Sequence, residues 1–510
     1  MDHAVGITAN ESVLNFHIES EPHAKKVSQQ ETLSCPIMRK TRAVKLAKSA
    51  MKILFPHARL IASSRGLEFK QGDIVKQRKP VMTPEYPWEG NLTYLYGSVV
   101  KSRIYRMWYQ AHGTSVAYAR SGDGLRWKKP LFERSRMDQT SAGPTIGLDD
   151  GQIEACGPRA PSVSTQSNIV RDLHMPSLIY DPQDRRRPYK LFGYTDRGYC
   201  AAFSKDGIHF KPAEQGPVIP LLKFRAPNAH KTWFSDVAPV FQDSHTGKFV
   251  SHVKTYRCDS EGKVRRCVGY AESDDFLHWS KPVTIWTPGI DDDRLATDRG
   301  SRWADFYGLC GFNYGDGYLG FLWLFYIDYE IARGTHEGKI EVFLASSTDG
   351  KTWKRFSDTA LLPLSRSDWD SGMITTANQP VFDKDKILLY YGGANFTHGV
   401  GEDGHPYDQA TDRFNIGLAT LRKDGFVYAS SSDGQFTTEP LKTKKGRINV
   451  NADCSRGRIV INVMKAGVKK KSLEMAGLDS LNKVFRISPR EKIALEVTIR
   501  NARLYSVELS

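Results

Sequence analysis

"SSTDGKTW", residues 346–353, joins small polar residues to an Asp-Gly pair and a tryptophan, and the chain repeats it. "RSGDGLRW" covers 120–127, "FSKDGIHF" 203–210 and "ESDDFLHW" 272–279, and a degraded "LRKDGFV" covers 421–427. The shared acid falls at Asp123, Asp206, Asp275, Asp349 and Asp424, at intervals of 83, 69, 74 and 75 residues. A turn phrase recurring with so even a period marks a repeat architecture.

Each copy ends a longer phrase. Upstream lies an aromatic, β-branched run (105–109, 189–194, 249–256, 318–326, 387–391), then a loop, then a short alternating strand such as "SVAYARS" or "KIEVFLASS". These are β-hairpins, with Asp bonding its own backbone and Gly supplying positive φ at the turn. The aromatic that follows (Trp127, Phe210, Trp279, Trp353) opens an outer strand that packs on the next unit. Five units of about four strands predict an all-β fold, a five-bladed β-propeller over 56–425, in which radial closure protects short sheet edges. Residues 1–55 are polar and aperiodic and are expected to form a poorly ordered extension, with one amphipathic helix at 41–54. From 426 to 510 the Asp-Gly phrase is gone, and "RINVNAD", "GRIVINVMKAG" and "ALEVTIRNARLYSVEL" predict a small C-terminal β-sandwich.

The composition narrows the function. The chain has 510 residues and a formal net charge of +15. That charge is uneven: residues 1–80 carry +7, 440–510 carry +10, and the repeats between them −2. The basic flanks therefore read as solvated faces or a contact for an anionic sugar polymer, and nucleic-acid binding is not expected. No apolar run reaches the length needed to span a bilayer, so no membrane partner is expected. The N-terminal residues lack the pattern of a signal peptide, which favours a cytoplasmic location. Seven cysteines without paired spacing argue against a metal site, and no cofactor is expected.

In a propeller the residues just ahead of each innermost strand converge on one face. Here these stretches are "YPWEGNLTY", "DLHMPSLIYD", "WFSDVAPVFQD", "RWADFYGLCGF" and "MITTANQPVF", which contribute Glu89, His174, Asp236, Asp305 and Asn378. Cleaving a glycosidic bond takes two carboxyl groups, one protonated and one ionised, and crowded carboxylates separate their pKa values in this way. Glu89, Asp236 and Asp305 are thus the candidate catalytic groups. Trp88, Trp233, Trp303 and Tyr307 offer flat faces for sugar rings, while His174, His230, Lys254, Arg302 and Asn378 offer polar contacts to an oligosaccharide or polysaccharide. A structural alternative is that the acids only satisfy donors at strand entries.

Units ending in S-x-D-G-x-x-W, with "PWEG" sixteen residues ahead of "YRMWYQ", resemble the clan of five-bladed glycosidases that includes glycoside hydrolase families 32, 43, 68 and 130. The trailing sandwich is similar to family 32-like proteins. The resemblance implies that Glu89 stands at the nucleophile position of the first blade, and that Asp236 in "SDVAPVF" stands at the acid/base position. The Arg-Asp-Pro motif of that family falls on "HMPSL", where His174 and Met175 replace Arg and Asp, so the fructose-binding carboxylate is missing. Asp305 is the candidate replacement. The leading expectation is a glycoside hydrolase with Glu89 as base or nucleophile, Asp236 as general acid and Asp305 as stabiliser or pKa partner. A family 130-like phosphorylase would draw its phosphate site from Arg302, Lys254, Arg257 and His174, and a non-catalytic sugar-binding propeller is the alternative from another class.

Overall fold

The computed structural model describes residues 51–57, 59–111, 113, 115–133, 166–221, 234–331, 336–400 and 407–510. The expected N-terminal extension lies almost wholly outside them. The last residues of the helix expected at 41–54 instead form the strand Met51–Leu54.

Antiparallel meanders follow one another along the chain. The first comprises Thr93–Lys101, Tyr105–Ala111, Ser115–Ser121 and Ile169–Asp172, the second His174–Tyr180, Tyr189–Thr195, Gly198–Ser204 and Lys211–Pro220. In the third, two inner strands are each broken in two, Phe234–Ser235 with Val240–Gln242 and Phe249–Ser251 with Lys254–Cys258. The fourth runs from Trp303–Tyr314 to Trp353–Arg355, and the fifth from Met373–Thr376 to Phe414–Arg422. One parallel pairing, Ile340 with Met373, merges the last two into a single sheet. The outermost strand of the fifth meander comes from far upstream: Val75–Lys76 pairs with Ala419 and Thr420.

The inner strands of the meanders tie to one another as a ring, which makes the array a β-propeller. Ser98 Oγ accepts from Leu178 N at 2.8 Å, and Ser177 Oγ from Val240 N at 3.0 Å. Asn313 donates to Gln242 O at 2.8 Å, and Trp323 Nε1 to Thr376 Oγ1 at 3.1 Å. Asn378 closes the circle. Its N–H donates to Gly97 O, and its amide nitrogen donates to Ser177 Oγ, Leu178 O and Val240 O at 3.0 to 3.1 Å. A buried amide with its donors so engaged is a structural tie, which corrects the expectation that Asn378 contacts sugar.

The repeated turn has one chemistry. Asp123 Oδ1 accepts from Leu125 N and Arg126 N at 2.9 Å, and Ser121 Oγ accepts from Gly124 N at 2.9 Å. Asp206, Asp275 and Asp349 repeat this pattern with their own neighbours. Two glycines are fixed by packing as well as by φ: Gly124 and Gly207 sit at φ +76 and +83 with carbonyls accepting from Tyr390 of the fifth meander and Trp108 of the first. The fifth copy departs from the rule. Asp424 accepts from Lys52 Nζ at 2.7 Å and Ser506 Oγ at 2.8 Å, joining the ring to the sandwich.

The sandwich has two six-stranded sheets. It contains more than residues 426–510. Met51–Leu54 pairs with Leu509 to Ser506, Ile61–Arg65 with Thr438 to Gln435, and Glu68–Gln71 with Ser430 to Val427. The expected boundary at 56 is therefore corrected: residues 51–71 belong with the C-terminal sheets, because their short strands supply edges those sheets lack. Among the described residues no helix is long and apolar enough to cross a membrane.

One buried group is costly at low pH. His252 packs against Phe241 at 5.7 Å and Trp353 at 5.3 Å, and neither ring nitrogen has a hydrogen-bond partner. Burial pushes its imidazole down from 6.5 to about 4. The unfolded chain therefore takes up a proton below pH 6.5 that the folded chain refuses, so stability is complete above pH 6.5 and falls between there and about 4. The loss is about 3 kcal/mol from this side chain alone. His252→Leu is expected to hold its melting temperature better than the parent when pH drops from 7 to 4.5. Equal drops in both would show that His252 does not carry the effect.

Candidate active site

Asp236 sits at the entry of the third meander with φ +33, a backbone conformation that L residues rarely hold without support. The support is local. Its Oδ1 accepts from its neighbour Val237 N at 2.6 Å and from Lys254 Nζ at 2.6 Å, and Ser235 Oγ lies 3.3 Å away. The Asp236 side chain is 22% exposed, whereas that of Lys254 is 4% exposed. Burial opposes its ionisation, but the charge and hydrogen bond of Lys254, with His174 and Val237 N, outweigh this and hold the carboxyl below its ordinary value.

Two histidines flank it. Gln110 Oε1 accepts from Met175 N at 2.7 Å, which turns the Gln110 amide nitrogen toward His174 Nδ1 at 3.1 Å. His174 Nδ1 also lies 3.3 Å from the carbonyl of Gly113, which only accepts, so its two neighbours call for opposite tautomers. His398 Nδ1 faces the carbonyl of His336 at 3.0 Å, so Nδ1 donates and Nε2 is left as a lone-pair acceptor. Burial first lowers both imidazoles, that of His398 to about 3 with the charge of Arg266 adding to it, so both are neutral near pH 7. Tyr307 lies between the elements, with Lys254 Nζ 4.4 Å above its ring and His398 5.2 Å from it. The Tyr256 hydroxyl bonds Ser235 Oγ at 2.7 Å. Second, third, fourth and fifth meanders thus meet around one ionised carboxylate.

Of the expected site residues, His174, Lys254 and Tyr307 gather around Asp236. Glu89 does not serve as an open acid: it is 0% exposed, and its carboxylate accepts from Glu85 N, Tyr86 N, the Tyr109 hydroxyl and Lys129 Nζ. These donors fill the acceptor sites of both oxygens. Trp88 belongs to the same cluster, stacking on Tyr86 at 4.6 Å and donating to Asn168 at 2.8 Å. Asp305 is also 0% exposed, holding Arg265 Nε at 2.9 Å and Arg266 Nη1 at 3.3 Å. Its part is indirect, since Arg266 also reaches His336 Nδ1 at 2.8 Å and overlies Phe325, which packs on His398. Trp303 is buried with Lys263 Nζ 4.1 Å over its ring, and Arg302 is exposed. His230 and Trp233 lie outside the described residues.

His398, Tyr256 and Gln110 were not legible as site residues. Gln110 and Tyr256 lie in the last residues of the second strand of their meanders and His398 just beyond its own, so aligning those strand ends would have found them. Among the described residues no group of three or more His, Cys, Asp or Glu is placed to hold a metal ion.

No protein-family model matches the chain, and no curated protein matches it. Similar solved structures include an N-acetylgalactosamine deacetylase from F. plautii in complex with blood group B trisaccharide, at 13% identity and TM-score 0.41, covering 70% of this chain and 95% of that one. A fructofuranosidase from Schwanniomyces occidentalis complexed with fructose has 10% identity and TM-score 0.38, covering 84% and 97%. An exo-inulinase from Aspergillus awamori has 12% identity and TM-score 0.40, covering 85% and 99%. The chemistry of the site rests on its own residues.

Proposed function

We propose that this chain is a glycoside hydrolase acting on an oligosaccharide or polysaccharide, with Asp236 as its ionised carboxylate. The observation that carries the reading is the Asp236–Lys254 pair at 2.6 Å on a strained residue that solvent reaches. Around it, His174, an acceptor (His398 Nε2), the hydroxyl of Tyr256 and the ring of Tyr307 set polar groups beside an aromatic, the combination a sugar site uses.

The held-down carboxyl reverses the role expected from the sequence. A general acid needs a proton at working pH, and Asp236 is the form that has lost it. It takes the proton of an attacking water, or attacks the anomeric carbon itself. The leaving oxygen needs a proton that neither Glu89 nor Asp305 is open to give. The proton donors beside Asp236 are Lys254 Nζ and the Tyr256 hydroxyl.

The test is turnover of a broad oligosaccharide panel by the parent and Asp236→Asn, with binding of the same sugars followed by calorimetry. Cleavage by the parent alone supports the reading. Binding without cleavage by either protein would favour the second reading, a sugar-binding propeller without catalysis, which the burial of Glu89 and Asp305 specifically favours.

A further inference from the structure

We propose that one end of the sandwich is a docking surface for an acidic polysaccharide, a chain bearing carboxylates or sulfates. Residues 442–492 contain 14 Lys and Arg against 4 Asp and Glu. Two of those acids are already paired, Glu491 with Lys465 at 2.9 Å and Asp479 with Arg422 at 2.7 Å.

The fold brings the cations together rather than spreading them. Lys442 stands directly across from Lys492 on paired strands, and Arg447 directly across from Arg486. Lys471 Nζ reaches the carbonyl of Arg486 at 2.9 Å, which draws a fifth strand to the same end. All five side chains are exposed. Like charges directly opposite each other destabilise a sheet, so both pairs are held against their own repulsion. A polyanion laid across them would remove it.

Protection of sheet edges accounts for part of this. Cations on an edge strand deter unwanted pairing, and that serves for Lys469–Lys471 on the edge strand Val468–Ala476 and for Arg486 on the edge strand Asp479–Arg486. The strand carrying Lys492 lies inside its sheet, between two others. The surface also fits a sugar polymer better than a nucleic acid. Its exposed apolar residues are Val468 and Val484, with no exposed aromatic on which a base would stack. The sheets carry no helix at this end to enter a groove.

The experiment uses the full chain and measures binding to polygalacturonate, dextran sulfate, neutral dextran and duplex and single-stranded DNA over a salt series. Lys492→Glu with Arg486→Glu turns both like-charge pairs into attractive ones. The fold should be at least as stable as the parent, while affinity for the two acidic polysaccharides falls at least tenfold. Neutral dextran should not bind, and Asp236→Asn should bind as the parent does, so this inference stands or fails apart from the catalytic one. Failure of both acidic polysaccharides to bind at low salt, affinity unmoved by the double variant, or tighter binding of DNA would each overturn it.

Discussion

Asp236→Asn is expected to lower the turnover of a cleavable oligosaccharide about 10³-fold per folded molecule, the range lost when a positioned proton-transfer or nucleophilic group is removed. Asn keeps the shape and tolerates positive φ better than most residues, so the entry loop survives. What disappears is the negative charge that Lys254 holds at 2.6 Å. The pH profile offers a second readout. Because the Asp236 carboxyl is held below its ordinary value, first against burial and then by Lys254, the acidic limb of kcat/KM should lie below the usual carboxylate range of about pH 4. Lys254→Met should move that limb upward along with the carboxyl. An Asp236→Asn protein with parental turnover would end the assignment.

Glu89→Gln is expected to do the opposite: a loss of about 3 to 5 kcal/mol of folding stability, the cost of breaking a buried ion pair from one side. Lys129, whose side chain is 1% exposed, would keep Thr83 O at 2.7 Å but lose its close carboxylate. Gln keeps one oxygen where Glu89 uses two, so either the Tyr109 hydroxyl or the Glu85 and Tyr86 N–H groups would face an amide NH2. Urea unfolding gives the stability, and turnover normalised to the folded fraction should change little. Parental stability with abolished turnover would restore Glu89 to the role that the sequence suggested.

The contrast between these two acids shows what a sequence makes legible. Both stand at the entry of an innermost strand beside an aromatic, and nothing local separates them. The difference comes from Lys129 and Tyr109 for Glu89, and from Lys254 and His174 for Asp236, partners 18 or more residues away in the chain. The Asp-Gly turns were readable because their hydrogen bonds close within three residues. The strand Val75–Lys76 was not, since two residues carry no periodicity and their role is set by Thr420 and Ala419. His398 had no signal in "NFTHGV", because its tautomer and placement depend on a carbonyl of the fourth meander. Asn378 was read as a site group for its position and proved to be a ring tie for its donors.

Residues 51–76 are translated early, yet their partners Phe414–Arg422 and Ala502–Leu509 come more than 300 residues later. On the ribosome these strands must wait with unpaired edges while the intervening meanders form. The ring cannot be completed until residues 414–422 have emerged, nor the sandwich until residues 502–509 have. Maturation should therefore end in a late, slow docking of both segments, and a nascent chain arrested before residue 414 should remain open to protease around residues 51–76.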